Sequence, residues 1–136
     1  MNTIDLQGRI AIITGGARGI GYATAERMVK SGAKVVLWDI DETACKNAVS
    51  GLGGSSHASY DLVELTSETA VAQATGNVIT RHGQIDILVN NAGITGGNAP
   101  LWELEPDVWR RVIEVNLVAP YLTCRAIVPE MKKKGY

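Results

Sequence analysis

The chain predicts an α/β fold on a mainly parallel, doubly wound sheet, and three observations carry that expectation. Short β-branched apolar runs alternate with helical patterns along its 136 residues, the rhythm of βαβ units. A glycine-rich turn, Gly15 to Gly21, joins the first apolar run to the first helical one. Asp39 closes the second apolar run, 18 residues after Gly21. The length fits one domain by the usual ~100–200 residues per domain.

The elements follow in order. Arg9 to Thr14 reads as the first strand. Gly19 to Ser31 carries Ile20, Ala23, Met28 and Val29 at helical spacing, with Gly32 as its C-terminal cap. Lys34 to Trp38 is a second buried strand, and Asp41 suits the N-cap of a short helix through Val49. After the loop Gly51 to Ser56, His57 to Tyr60 reads as a brief third strand. Thr66 can cap a helix that reaches about Arg81, weakened by Gly76 within it. Asp86 to Val89 is a fourth strand, continuously apolar after Asp86 as buried parallel strands are. Ile94 to Ala99 is a loop. A long helix runs from about Pro106 to Lys134, with Pro106 in its first turn, three lysines near its negative dipole end and Gly135 at its cap.

Composition narrows the function. Hydrophobic residues at 46% and charged ones at 20% fit an ordinary globular protein, and a net charge of -1 makes no case for nucleic acid or an anionic membrane as partner. The stretch Met1 to Asp5 shows neither the basic nor the apolar part of a signal peptide. Val112 to Val128 comes closest to a membrane span but is interrupted by Glu114, Asn116 and Arg125. Cys45 and Cys124 are too few and too far apart for a disulfide framework or a zinc site, and His57 and His82 add no metal spacing. Both cysteines are expected to be buried, reduced thiols in a cytoplasmic protein, and no metal site is expected.

The chemistry concentrates in the first glycine turn. A strand-to-helix turn presents free backbone N–H groups and the positive end of a helix dipole, where phosphates bind. The spacing Gly15-x-x-x-Gly19-x-Gly21 is neither the G-x-G-x-x-G fingerprint nor a Walker loop. By itself it is compatible with a mere tight turn. Asp39 strengthens it, since a strand-end acid about 20 residues on can accept hydrogen bonds from adenosine ribose hydroxyls. The same carboxylate opposes a 2′-phosphate and so favours NAD over NADP. Arg18 pulls the other way, because a guanidinium pairs well with phosphate. Asp41 reads as a helix cap. Asn90-Asn91-Ala92-Gly93 ends the fourth strand. With strand order 3-2-1-4, it flanks the switch point where ligands bind in such sheets. Pro120 lies four residues after Asn116 and cannot donate to its carbonyl. A kink in the long helix and a carbonyl able to hold a water are therefore expected.

Together Thr14-Gly15-x-x-x-Gly19-x-Gly21, Asp39, Asp61-Leu62, Asn90-Asn91-Ala92-Gly93 and Asn116 resemble the short-chain dehydrogenase/reductase family. The likeness is greatest to its 3-oxoacyl-carrier-protein-reductase and sugar-dehydrogenase branches and covers essentially the whole chain. The resemblance implies a Rossmann-type sheet and hydride transfer between NAD and a small secondary alcohol or ketone. It gives Gly15, Gly19, Ile20 and Gly21 to the pyrophosphate, with Arg18 beside them, and Asp39 to the adenosine ribose. It gives Asp61 and Leu62 to the adenine, Asn90, Ala92 and Gly93 to the cofactor crevice, and Asn116 to the catalytic set. It further implies a homo-oligomeric parent protein.

The family's chemistry also needs a serine and a Tyr-x-x-x-Lys pair, in which the lysine lowers the tyrosine pKa. Tyr22, Tyr60 and Tyr121 are followed four residues on by Glu26, Glu64 and Arg125, and Tyr136 is the final residue. The chain is therefore expected to correspond to about the first half of a family member and to have little activity alone. Ile87, Leu88 and Val89 would then lie at an open sheet edge. Two alternatives stand beside the dehydrogenase reading: a non-catalytic dinucleotide-binding module and, more weakly, a methyltransferase.

Overall fold

The computed structural model describes residues 3–136. Met1 and Asn2, part of the stretch read above for a targeting signal, lie outside the described residues. Four parallel strands, β1 (Ile10–Thr14), β2 (Lys34–Asp39), β3 (Ala58–Leu62) and β4 (Ile87–Val89), form one sheet in the order β3-β2-β1-β4. Between them run α1 (Gly19–Lys30), α2 (Glu42–Gly51) and α3 (Glu68–His82).

Alternation along the central strands divides the core in two, because successive side chains leave a strand on opposite faces. Ile10, Ile12, Val36 and Trp38 pack on one face with Val71 and Val78 of α3. Ala11, Ile13, Val35 and Leu37 pack on the other with Ala25 of α1 and Cys45 of α2. Since both faces are covered, Ile10–Ile13 of β1 and Val35–Trp38 of β2 are continuously apolar rather than alternating with polar residues.

Several boundaries move. The third strand begins at Ala58 and ends at Leu62, displaced toward the C-terminus from the expected His57 to Tyr60. Ser67, not Thr66, caps α3 by accepting the Ala70 N–H, while Thr66 bonds to Glu64. Asp86 lies outside β4, and its buried carboxylate accepts the Ile10 N–H at 2.8 Å and the Gln84 amide at 2.7 Å. The Asp86 backbone N–H still donates to the Ile10 carbonyl at 2.9 Å, so these side-chain bonds add to the pairing with β1 at that position.

The long helix has three segments. A short 3-10 turn at Leu101–Glu103 precedes α4 (Pro106–Ile113), a π turn (Glu114–Val118) and α5 (Ala119–Lys134). The disturbance expected near Pro120 takes the form of that π turn, in which the Ala119 N–H reaches five residues back to the Glu114 carbonyl. Widening one turn accommodates a residue that cannot donate, and π turns of this kind interrupt otherwise α-helical runs.

By length and composition Pro106–Lys134 is apolar enough to cross a membrane, beyond what the interrupting Glu114, Asn116 and Arg125 suggested. It nonetheless packs on the fold, with Ala119, Leu122, Thr123 and Ile127 buried and Arg125 ion-paired to Glu68 of α3. Cys45 is buried as expected, but Cys124 is exposed. It follows Thr123 on α5, and the helical turn carries it off the buried stripe.

Candidate functional site: the cleft at the switch point

The ends of β1 and β4 are tied together by side chains. Thr14 Oγ1 accepts the backbone N–H groups of Asn91 and Ala92, both at 3.0 Å. The Asn91 amide donates to the carbonyls of Thr14 at 3.0 Å and Gly15 at 3.1 Å. Across the sheet, the Gly15 N–H donates to the Trp38 carbonyl at 2.8 Å.

The glycines then have distinct reasons to be there. Gly15 has φ +61, and a Cβ on it would stand 3.0 Å from the Ala92 backbone. A Cβ on Gly21 would meet the Gly15 carbonyl and come within 2.5 Å of Asn91 Nδ2. Any larger residue would therefore push α1 off the strand end. Gly19, at φ +54, faces open space, leaving room for a ligand to approach the backbone.

The three sheet-flanking helices differ at their starts. Asp41 caps α2 and Ser67 caps α3, whereas no side chain caps α1 at Arg18 and no acidic residue lies in its first turn. The N–H groups that begin α1 are thus left without a side-chain acceptor at its positive dipole end.

Facing this turn is a cleft of about 430 Å³, lined among others by Gly15, Arg18, Trp38, Asp39, Ala92 and Gly93. Asp39 Oδ1 accepts the N–H groups of Ile40 at 2.8 Å and Asp41 at 3.2 Å, which orients the carboxylate. Ile40 is exposed beside it. Arg18 is ion-paired with Asp41. The Asp41 carboxyl is held below the usual carboxylate range, first by the Ala44 N–H it accepts and also by Arg18. Burial pushes the Cys45 thiol up to about 11, with the Asp39 and Asp41 carboxylates adding to the effect. That thiol is therefore un-ionised near neutrality and unreactive.

At the opposite side Arg111 of α4 donates to Thr66 Oγ1 at 3.2 Å and to both Glu64 oxygens at 3.4 Å. The bonds from Thr66, aided by Arg111, hold the Glu64 carboxyl below its ordinary range. Asn116, in the π turn, grips the β4 loop at both backbone atoms of Ile94. Its Oδ1 accepts the N–H and its Nδ2 donates to the carbonyl, each at 2.8 Å.

The structure gathers Gly15, Arg18, Asp39, Ala92 and Gly93 into one cleft. Gly19 lines an adjoining groove that shares Arg18 and Asp41 with it. Gly21 packs behind Gly15, and the Ile20 side chain is exposed. Asn90 points toward α5, where its Oδ1 accepts from Thr123 at 2.6 Å and its Nδ2 reaches Cys124 Sγ at 3.5 Å.

Asp61 and Leu62 are the clear departure. Asp61 pairs with Arg81 of α3, and Asp61 and Leu62 border a separate depression near Gln73 and Asn77. The chain continues beyond β3, with the Val63 N–H bonding the Asp39 carbonyl, so Val63, Glu64 and Leu65 reach the cleft instead. Sequence reasoning also missed the bracing by Thr14 and Asn91 and the closure by Arg111. Thr14 and Asn91 stood inside the quoted motifs, but nothing local to Arg111 signals its partner 47 residues away.

A family model described as short chain dehydrogenase matches residues 9–136. The 2-dehydro-3-deoxy-L-rhamnonate dehydrogenase (NAD(+)) of Sphingomonas sp. (strain SKA58) is 36% identical over 129 residues, covering 95% of this chain and 51% of that protein. The 3-oxoacyl-[acyl-carrier-protein] reductase FabG of Chlamydia pneumoniae is 37% identical over 133 residues, covering 96% and 52% respectively.

Among solved structures, the 3-ketoacyl-(acyl-carrier-protein) reductase from Brucella melitensis complexed with NADH superposes with a TM-score of 0.91 at 33% identity, covering 96% of this chain and 53% of that one. A metagenomic short-chain oxidoreductase in complex with NADP gives 0.87 at 35%, covering 98% and 60%. The chain spans about half the length of the curated relatives it matches. With the strand order, the glycine turn and the paired asparagines in place, the chain belongs to the short-chain dehydrogenase family.

Proposed function

We propose that this chain is the dinucleotide-binding part of an NAD-dependent oxidoreductase that moves a hydride between nicotinamide and the carbinol carbon of a secondary alcohol. The observation that carries the reading is one cleft with Arg18, at the uncapped start of α1, on one wall and an oriented carboxylate, Asp39, on the other. A dinucleotide presents a pyrophosphate and a ribose diol, which these groups suit.

The residues fit such a group. The Gly15–Gly21 packing leaves no Cβ between α1 and the strand end, and Gly19 leaves its approach open. Asp39 Oδ2 carries no hydrogen bond among the described residues, so it is available to a ribose hydroxyl. When bound, the nicotinamide dinucleotide supplies the hydride acceptor or donor. The chain's own work is to bind and orient. The α1 start takes the pyrophosphate charge, and Asp39 fixes the adenosine ribose. Val63 and Leu65 offer an apolar wall to the adenine in place of Asp61 and Leu62. Asn116 holds the Ile94 loop in position beside the cleft.

No tyrosine in the sequence has a lysine four residues on, so the proton-transfer pair is not supplied by these residues. A dinucleotide-binding module without turnover stands as a second reading. The exposed apolar residues Leu117 and Tyr121 on the long helix support association with further protein surface in the parent. The methyltransferase alternative loses its basis once the chain is placed in the family.

NADH titration tests the reading. Trp38 lies buried in the cleft wall beside Asp39, so tryptophan emission is expected to fall as NADH fluorescence rises. Asp39→Ala is expected to weaken NADH binding about 10- to 100-fold, the scale of a lost charge-assisted hydrogen bond. Undiminished binding by that variant would overturn the assignment. Turnover of a secondary alcohol by the homogeneous 136-residue chain would reject the module reading.

A further inference from the structure

Two cations line the cleft, Arg18 and Arg111, and each already faces a carboxylate, Asp41 and Glu64. Arg18 is the one at the ribose corner. It stands at the start of α1, while Asp41 stands at the start of α2, two residues beyond Asp39. Both also line the neighbouring groove of about 520 Å³, so the ion pair forms the partition between groove and cleft. Asp39, the candidate ribose acceptor, lines the same cleft as this ion pair.

We propose that Asp41 is a specificity-determining residue, which keeps Arg18 from serving a 2′-phosphate and so turns the site toward NAD. The inference rests on the dinucleotide reading of the cleft and extends it from Asp39 to Asp41, which also caps α2. Asp41 does both jobs with different oxygens. Its Oδ1 accepts the Ala44 N–H at 2.9 Å and its Oδ2 receives Arg18.

An exposed ion pair of this kind is weak by itself. The anchoring matters more. Because the cap fixes the carboxylate, drawing Arg18 away leaves Asp41 where it is. A 2′-phosphate would then meet two carboxylates, Asp39 and Asp41, against one guanidinium. The relatives show why the decision must fall to such side chains, since the same fold is seen with NADH and with NADP at TM-scores of 0.91 and 0.87.

Asp41→Asn is the discriminating variant, because asparagine caps a helix about as well as aspartate while releasing Arg18. Dissociation constants for NADH and NADPH would be measured by fluorescence for the unaltered protein, Asp41→Asn, Arg18→Met and the double variant. Asp41→Asn is expected to shift the ratio of the two constants toward NADPH by about tenfold, the scale of one screened charge at a few ångströms. Arg18→Met alone is expected to leave the ratio within about twofold, since the arginine is already engaged. The double variant is expected to lose most of the gain, a coupling that a purely structural cap would not produce. An unshifted ratio in Asp41→Asn, an equal gain in the double variant, or a large NADPH loss from Arg18→Met alone would each overturn the role of Asp41. An unaltered protein that binds neither dinucleotide would instead remove the cofactor reading, and this inference with it.

Discussion

On the β1–α1 side of the cleft, position is set by backbone at close range: Gly15 against Ala92, and Gly21 against the Gly15 carbonyl. On the β4 side it is set by amide side chains, with Asn91 reaching Thr14 and Gly15 and Asn116 clasping Ile94. The surroundings differ in the same sense. β1 is buried along its whole length, whereas the three residues of β4 are half-buried at the sheet edge and Leu117 and Tyr121 stand exposed on the adjoining helix. A wall made by packing admits no added atom. A wall made by hydrogen bonds yields by degrees, since each bond has a modest net worth. The first suits a phosphate that must approach the backbone, and the second suits a loop that must be placed but not immured.

Three variants probe that contrast. Gly21→Ala should have the largest effect, because its Cβ meets backbone that cannot move aside. A loss of about 1–3 kcal/mol in denaturant unfolding, together with loss of NADH binding, is expected. An unchanged midpoint would show that the packed wall is softer than the geometry implies. Asn116→Ala removes both bonds to Ile94 and should cost about 1 kcal/mol. Faster amide exchange at Ile94, with exchange at Ile12 and Ile13 unchanged, would locate the damage on the β4 side. The smallest effect should come from Leu117→Gln combined with Tyr121→Gln, within about 0.5 kcal/mol. A larger loss would mean that this exposed face already contributes to the fold.

The same contrast explains how much was legible in the sequence. β1 and β2 were readable because strands covered on both faces carry uninterrupted apolar runs. The glycine turn was readable because close approach demands the absence of a side chain. The β4 side was harder. Asn116 was assigned on resemblance and on the position of Pro120, yet its side-chain partner, Ile94, lies 22 residues away and no local pattern announces it. Asp61 and Leu62 lie outside the lining of the cleft because the end of β3 depends on its register with β2. Leu62 pairs with Asp39, so the segment that reaches the cleft starts one residue later. Residue type alone predicts a buried Cys124, but the turn of α5 that buries Thr123 exposes its neighbour.

The amino-acid sequence by itself determined the α/β class, the glycine turn, the acid at the end of β2 and the family. Each of these rests on local periodicity or on a residue type with no substitute at its position. Only the tertiary structure decided which residues share the cleft, that Val63, Glu64 and Leu65 line it rather than Asp61 and Leu62, and that Arg18 is already engaged by Asp41. Those outcomes depend on strand register and on meetings between residues far apart in the chain, such as the 23 positions that separate Arg18 from Asp41. Pairings of that kind arise only when separate helices and strands are packed together, and no local pattern of residues encodes them.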